Sequence, residues 1–70
     1  MFTKNYEVKI ESANTMDLIK ILGHYGLKFE VGDEYIDYTD PERKWFRDLV
    51  IRATKQQMSK LREAIRIKVL

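Results

Sequence analysis

Two runs of aromatic and β-branched residues, separated by a break that contains the only proline, most strongly limit what this chain can fold into. The runs are residues 34–39 and 45–53, and Asp40-Pro41 begins the polar segment between them. Such runs are typical of β-strands. Proline holds φ near about −65°, and aspartate bonds the backbone ahead of it, so the pair favours a tight turn. The sequence therefore predicts a β-hairpin around which the other elements are arranged.

The segments before the hairpin change from strand to helix periodicity. In residues 6–12, Tyr6, Val8 and Ile10 alternate with charged residues, which predicts a half-buried strand. A helix is then predicted to begin at Asn14, a favoured N-cap residue, and to end at Gly26, which tolerates a positive φ. Its predicted apolar stripe consists of Met16, Leu18, Ile19, Leu22 and Tyr25. His24, in the last turn, is interpreted as a surface residue.

After the hairpin, Thr54 followed by Gln57 has the pattern of a capping box and predicts the start of a second helix. The buried stripe of this helix is predicted to be Met58, Leu61, Ala64 and Ile65. Residues 66–70 alternate like a short strand. Because no glycine separates them from the helix, a helix that continues to the end is the alternative.

The order of the elements depends on Gly32-Asp33, where the apolar residues change from odd to even positions. A β-bulge here leaves one long strand. The order is then β-α-β-β-α-β, the ferredoxin-like or split βαβ pattern, in which two helices cover one face of an antiparallel sheet. We favour this arrangement. A two-residue turn at the same position, with a helical tail, gives β-α-β-β-β-α instead.

In its second order the chain resembles, over residues 17–65, the small double-stranded-RNA-binding-like domains of the HicA toxin family. The points of similarity are Leu18-Ile19-Lys20-Ile21-Leu22, Gly26, Gly32 and a strand ending near Asp40-Pro41. The resemblance implies a dsRBD/HicA-like fold. That family carries an essential histidine just after the glycine that corresponds to Gly32. Asp33, Glu34 and Tyr35 follow it here, so ribonuclease activity is not implied.

The composition excludes several classes of protein. Seventy residues predict a single domain, 1–70. The chain has no cysteine and one histidine, which excludes disulfides and thiolate or His-rich metal sites. It contains no nucleotide-binding or nucleophile motif. We therefore predict that the protein is not an enzyme, with no catalytic residue, no metal and no cofactor. No apolar run approaches the roughly 20 residues of a membrane span, and the polar N-terminus is unlike a signal peptide, so a cytoplasmic protein is expected.

The charge is divided unevenly along the chain. Residues 1–42 contain four basic and nine acidic side chains, a net charge of −5, whereas residues 43–70 contain nine basic and two acidic ones, a net charge of +7. Such asymmetry indicates an electrostatic partner. Alternatively, the halves face each other across the sheet and cancel, or they pair between two protomers as a homodimer.

The leading functional hypothesis is protein binding by the hairpin, because tyrosine, tryptophan and arginine are enriched at interface hot spots. The predicted protein-binding residues are Tyr35, Asp37, Tyr38, Arg43, Lys44, Trp45 and Arg47. The protein would then be a small regulator, inhibitor or accessory subunit of a larger protein or nucleoprotein. Small virus-encoded inhibitors of host enzymes share this general profile.

The alternative hypothesis is that the basic half, residues 43–68, contacts the phosphates of a nucleic acid. The residues predicted for this are Lys44, Arg47, Lys55, Lys60, Arg62 and Arg66. A base-stacking surface like that of RNA-recognition motifs is not expected. Phe46 is the one outward aromatic residue of its strand, and Glu7 and Glu11 on the first strand repel phosphate.

Overall fold

In a computed structural model, which describes residues 2–70, the chain forms a four-stranded antiparallel sheet that carries two α-helices. The elements follow in the order β1 (Lys4–Glu11), a 3-10 turn (Ser12–Asn14), α1 (Thr15–His24), β2 (Lys28–Ile36), β3 (Trp45–Ala53), α2 (Lys55–Ala64) and β4 (Lys68–Val69). The strands lie in the order β2-β3-β1-β4, and each neighbouring pair is antiparallel. The predicted α+β class is confirmed.

The core lies between one face of the sheet and both helices. Its buried apolar residues are Val8 and Ile10 from β1, Leu18 and Leu22 from α1, Leu49, Ile51 and Ala53 from β3, and Met58 and Leu61 from α2. Alternate residues of a strand point to opposite faces. The predicted alternation of the first strand is therefore confirmed, and β3 buries every second residue from Leu49 to Ala53.

The helical stripes were predicted only in part. α1 buries Thr15, Leu18 and Leu22, which lie on one line along the helix. Met16 lies off that line and is exposed, as is Tyr25, which follows the last turn. On α2, the prediction for Ala64 is also wrong, because this residue of the last turn is exposed.

β2 is one strand with a bulge. Val31 lies opposite Leu49 and Glu34 opposite Arg47, so two residues of β2 share the single position of Asp48. A Cβ atom at Gly32 would lie 3.0 Å from the carbonyl oxygen of Asp48, which explains why glycine occupies this position. The bulge is confirmed. The two-residue turn is wrong, because the residues on both sides of Gly32 pair with the same strand.

The C-terminal segment is a strand rather than a continued helix. α2 ends at Ala64, and Ile65 is extended, with φ −149° and ψ 145°. Val69 then pairs with Val8, and the N–H of Leu70 donates to the carbonyl oxygen of Glu7 over 2.9 Å. The order β-α-β-β-β-α, and with it the dsRBD/HicA-like alternative, is therefore wrong. The backbone groups of this segment form their hydrogen bonds with β1 instead of within a helix.

The helix ends agree with the sequence patterns except at one cap. Gly26, after α1, has φ +68°. Thr54 and Gln57 form the predicted capping box, in which the N–H of Gln57 donates to Oγ1 of Thr54 over 3.1 Å and the N–H of Thr54 donates to Oε1 of Gln57 over 2.8 Å. Asn14 occupies the N-cap position of α1, but its side chain makes no capping bond. Within residues 2–70, neither helix is long and apolar enough to cross a membrane.

Candidate binding surfaces

The loop between β2 and β3 is a fixed turn. The N–H of Arg43 donates to the carbonyl oxygen of Asp40 over 3.0 Å, which places Pro41 at the second position of a four-residue turn. Oδ2 of Asp40 accepts a hydrogen bond of 2.9 Å from the N–H of Lys44. Arg43 has a φ of +51°. The turn predicted at Asp40-Pro41 is confirmed, and its backbone is held by the aspartate.

Lys9 of β1 joins this loop to the sheet. Its ammonium group forms an ion pair with Asp37 and lies 4.3 Å from the centroid of the Phe46 ring. Thr39 donates both its hydroxyl and its N–H to Oδ1 of Asp37, the latter over 2.9 Å. Hydrogen bonds from Lys9, and then from Thr39, hold the pKa of Asp37 well below its ordinary value. Asp37 is therefore a structural anion of the loop.

Arg47 of β3 fixes the bulge of β2. Its Nη1 donates to the carbonyl oxygen of Gly32, and its Nη2 lies near Oε1 of Glu34, each at 2.9 Å. The hydroxyl of Ser12 donates to the same carboxylate. Hydrogen bonds from Ser12 and Arg47 lower the pKa of Glu34 below its ordinary value. Arg47 thus holds two segments of β2 in place.

Lys44 lies between two carboxylates. Its ammonium nitrogen is 2.9 Å from an oxygen of Glu42 and 3.2 Å from an oxygen of Glu11, and these contacts raise the pKa of Lys44. Together with the pair between Arg47 and Glu34, these bridges join cations of residues 43–70 to acids of residues 1–42. At this end of the molecule the two oppositely charged halves therefore face each other and partly cancel.

Tyr35 belongs to the outer face of the sheet. Its hydroxyl donates to Oδ1 of Asp48 over 2.6 Å, and its ring is tilted against that of Phe46 with 6.4 Å between centroids. Burial, followed by the hydrogen bond to Asp48, raises the pKa of Tyr35 to about 12. This side chain is fixed, and only part of it reaches solvent.

The exposed aromatic residues of the hairpin are Tyr38 and Trp45, whose residue surfaces are 76% and 53% exposed. Trp45 begins β3 opposite Ile36, and Tyr38 lies in the loop that follows β2. We use the name hairpin surface for the side chains of Tyr38, Arg43, Lys44, Trp45 and Arg47. The other two predicted protein-binding residues, Tyr35 and Asp37, are held by internal hydrogen bonds.

The residues of the alternative nucleic-acid set come from the hairpin, from α2 and from the segment after it. Lys44 and Arg47 are paired with carboxylates at the hairpin surface. Lys44 and Arg66 line one cleft, which also contains Glu11 and Asp40. The remaining three residues, all on α2, are Lys55, Lys60 and Arg62.

A second cleft, of about 270 Å³, lies between α2 and the beginning of β1. Its lining consists of Lys4, Tyr6, Lys55, Met58, Ser59, Arg62 and Val69. We use the name α2 cleft for this site. It has no acidic residue in its lining, and within residues 2–70 the ion pairs do not include Lys4, Lys55 or Arg62. Reasoning from the sequence missed Lys4 and Tyr6. Their alternation with Val8 was the available signal, but only strand pairing places them beside α2.

Within the described part of the chain, no group of three His, Asp or Glu side chains is arranged to hold a metal ion. No family model matches the sequence, and neither a curated protein nor a solved structure matches the chain. The geometry of the two surfaces is therefore the basis for the function proposed below.

Proposed function

We propose that this protein is a non-enzymatic binding domain that acts as a regulator, inhibitor or accessory subunit of a larger protein or nucleoprotein. The observation that carries the proposal is the exposed half of Trp45, which begins β3 at the hairpin surface. A few residues supply most of the binding energy at protein interfaces, and tryptophan, tyrosine and arginine are enriched among them. Tyr38 and Arg43 lie in the loop that ends at Trp45, so the three residue types occur together.

The rigidity of this surface supports the proposal. Asp40 holds the turn through two hydrogen bonds, and Lys9 joins the loop to the sheet through Asp37. A surface that is already ordered loses little conformational entropy when it binds, which favours affinity. The hairpin surface therefore has the pre-organisation expected of a docking element.

The charges define what the partner should offer. Lys44 and Arg47 are engaged by carboxylates of the same chain, whereas Arg43 belongs to no ion pair within residues 2–70. A complementary site would offer an apolar pocket for the indole of Trp45 and a carboxylate at the rim for Arg43. Contacts of this type, an aromatic anchor with a polar rim, are typical of transient protein interfaces.

We also propose that the fold is ferredoxin-like. The order of elements, β1-α1-β2-β3-α2-β4, supports this assignment, as does the strand order β2-β3-β1-β4 with antiparallel neighbours. In such a fold the β2–β3 hairpin projects from one end of the sheet.

The experiment compares the partners of three immobilised forms of the protein: wild type, Trp45→Ala and Tyr25→Ala. Tyr25 is an exposed aromatic residue that follows α1 and lies outside the hairpin surface, so its substitution is the control. In extracts of the source cells, we expect wild type and Tyr25→Ala to retain the same partner and Trp45→Ala to lose it. With the purified partner, Kd should rise at least about thirty-fold, as expected for a hot-spot residue.

Two control measurements are needed to interpret the loss of the partner. Circular dichroism must show the same helical signal for all three forms, since an unfolded Trp45→Ala would lose its partner trivially. Light scattering of the wild type tests whether the partner is a second copy of the chain. Retention of the same partner by folded Trp45→Ala at unchanged Kd would contradict the proposal.

A further inference from the structure

The α2 cleft carries a separate inference, which does not depend on the proposed role of the hairpin surface. We propose that this cleft binds the phosphate backbone of a single-stranded nucleic acid. Lys4, Lys55 and Arg62 would contact phosphates, and movement of Lys4 from the Tyr6 ring to a phosphate would open that ring to a base. The site differs from the predicted nucleic-acid set, since it includes two residues of β1 and excludes four members of the set, Lys44, Arg47, Lys60 and Arg66.

The helix contributes one continuous side to the cleft. Its lining residues, Lys55, Met58, Ser59 and Arg62, follow the spacing i, i+3, i+4, i+7 and so lie along a single helical face. The rise of a helix separates the Cα atoms of Lys55 and Arg62 by roughly 10 Å along its axis. Two cations and a hydroxyl group are therefore spaced along a line, as an extended polyanion requires.

β1 contributes the opposite side. Lys4 and Tyr6 alternate with Val8 and so lie on the helix-facing side of the sheet. The ammonium group of Lys4 lies 4.7 Å from the centroid of the Tyr6 ring. Val69 of β4, which pairs with Val8, also lines the cleft.

The electrostatics of the cleft favour an anion. It brings together three cations and no carboxylate, whereas Lys44 and Arg47 of the hairpin surface are balanced by acidic residues. A basic groove that also contains an aromatic ring is the usual arrangement for binding single strands without reading their sequence. The tyrosine makes a nucleic acid a better match than an acidic peptide, which has no base to stack.

The shape of the cleft favours a single strand over a duplex. Proteins that read duplex DNA insert a protruding helix or ribbon into a groove. Here the cations line a concavity, because the relevant face of α2 is turned toward β1. A flat anionic membrane cannot enter this concavity either. A flexible single strand can enter such a concavity.

The test measures binding of a fluorescein-labelled oligothymidylate of about ten nucleotides by fluorescence anisotropy at several salt concentrations. Each phosphate contact to a single strand contributes about −0.7 to the slope of log K against log salt concentration. Three cations therefore predict a slope of roughly −2 for the wild type. No binding at low salt would overturn the proposal.

Two double variants form a matched pair, since each removes one lysine and one arginine from α2 or the segment after it. Lys55→Gln/Arg62→Gln changes the cleft, whereas Lys60→Gln/Arg66→Gln changes residues outside its lining. The first should weaken binding at least about ten-fold at low salt and reduce the slope to roughly −0.7. The second should retain the wild-type slope. Equal effects of the two variants would overturn the proposal, because binding would then follow net charge alone.

Lys4→Gln tests the part of the site that lies on β1. It should reduce the magnitude of the salt slope by about 0.7, as expected when one phosphate contact is lost. An unchanged slope would remove β1 from the site and overturn the proposal as stated. Circular dichroism of each variant must match that of the wild type, which the exposure of Lys4, Lys55 and Arg62 predicts.

Competing ligands decide the chemical class. The same measurements use a duplex of equal length, a glutamate decapeptide and vesicles containing phosphatidylserine. The single strand should bind most tightly at equal salt. If one of the others binds as tightly and loses binding in Lys55→Gln/Arg62→Gln, the assignment to single-stranded nucleic acid is wrong. Trp45→Ala should bind the oligonucleotide normally, which separates this inference from the proposed role of the hairpin surface.

Discussion

The hairpin surface and the α2 cleft use the same residue types in different ways. At the hairpin, Lys44 and Arg47 each contact a carboxylate of the same chain. In the cleft, Lys4, Lys55 and Arg62 meet no acidic side chain within residues 2–70. Cations at the hairpin are therefore largely part of the fold, whereas cations in the cleft remain available to a ligand. An arginine indicates a binding site only when its surroundings leave it unpaired.

The two regions also differ in the range of their polar contacts. Around the hairpin, Ser12 contacts Glu34, which is 22 residues away, and Arg47 contacts Gly32, which is 15 residues away. At α2, the capping box joins Thr54 to Gln57, only 3 residues along the chain. The hairpin end is therefore stabilised by long-range polar contacts in addition to the local ones of its loop, whereas the start of α2 is stabilised by a local one. The following predictions test this contrast.

The largest effect on stability is expected for Gly32→Ala. The new Cβ would lie 3.0 Å from the backbone oxygen of Asp48, so the backbone of β2 or β3 must shift to admit it. Overpacking of this kind costs roughly 1–3 kcal/mol. Urea denaturation, followed by circular dichroism, should show a lower midpoint at an unchanged m-value.

Gly23→Ala is the matched control for that substitution. Gly23 lies in α1, and a Cβ at this position has no neighbour within 4 Å. Alanine is favoured over glycine in a helix by roughly 0.5–1 kcal/mol, so this variant should be more stable than the wild type. If both variants changed stability in the same direction, the close approach at the bulge would not explain why position 32 is a glycine.

The next prediction compares the free energy of unfolding of two arginine variants. Arg47→Gln should lower the free energy of unfolding by about 1–2 kcal/mol, because it removes charged hydrogen bonds to Gly32 and Glu34. Arg62→Gln should change it by less than about 0.5 kcal/mol, as is usual for a surface residue without such contacts. Thermal and urea denaturation both measure the difference. Equal losses would contradict the distinction between structural and available cations.

The contrast between local and long-range contacts also explains how much the sequence could predict. The capping box at Thr54 and the alternation in β1 are local patterns, and both were predicted correctly. The bulge was favoured by the phase change at Gly32, yet only pairing with β3 excluded the turn. Met16 satisfied the helical spacing but is exposed, because the direction in which α1 faces the sheet is a tertiary property.

The binding residues also show that local patterns could be predicted from the sequence and tertiary contacts could not. Grouping Lys44 and Arg47 with the basic residues of α2 was reasonable in sequence, since all of them lie in the positive half. Their partners, Glu11 and Glu34, come from the other half of the chain. Lys4 was missed because it belongs to the acidic half of the sequence, although β1 brings it into the cleft with the basic residues of α2. Pairing of distant strands decides both cases, and no local pattern reports it.

A smaller effect is expected at the cap of α2. Thr54→Ala removes the hydroxyl that accepts the N–H of Gln57, and it should cost about 1 kcal/mol. Thr54→Ser retains the oxygen and should recover most of that loss. Denaturation midpoints of the three forms measure the effect. A Thr54→Ser variant as unstable as Thr54→Ala would show that burial of the threonine methyl group, and not the cap, is what matters.

The smallest effect is the pH dependence of the hairpin end, because its carboxylates are near solvent and screened. The pKa values of Asp37 and Glu34 lie below their ordinary values of 3.8 and 4.5. A carboxylate with a lowered pKa in the folded state stabilises the fold above its ordinary pKa, and this contribution is lost as the pH falls toward the folded value. The urea midpoint should therefore hold from neutral pH down to about pH 5 and decrease below pH 4.5.

Substitutions of single carboxylates test which region causes the decrease of the urea midpoint at low pH. Asp37→Asn and Glu34→Gln should each make the decrease shallower, because each removes a group that binds a proton more readily in the unfolded chain. Glu63→Gln removes an acidic residue of α2 that has no ion pair within residues 2–70, and it should leave the slope unchanged. About 1 M salt should also reduce the slope, since it screens the pairs with Lys9 and Arg47. A slope that depended on Glu63 and not on Asp37 would place the stabilising charges on α2 and reverse the contrast between the two surfaces.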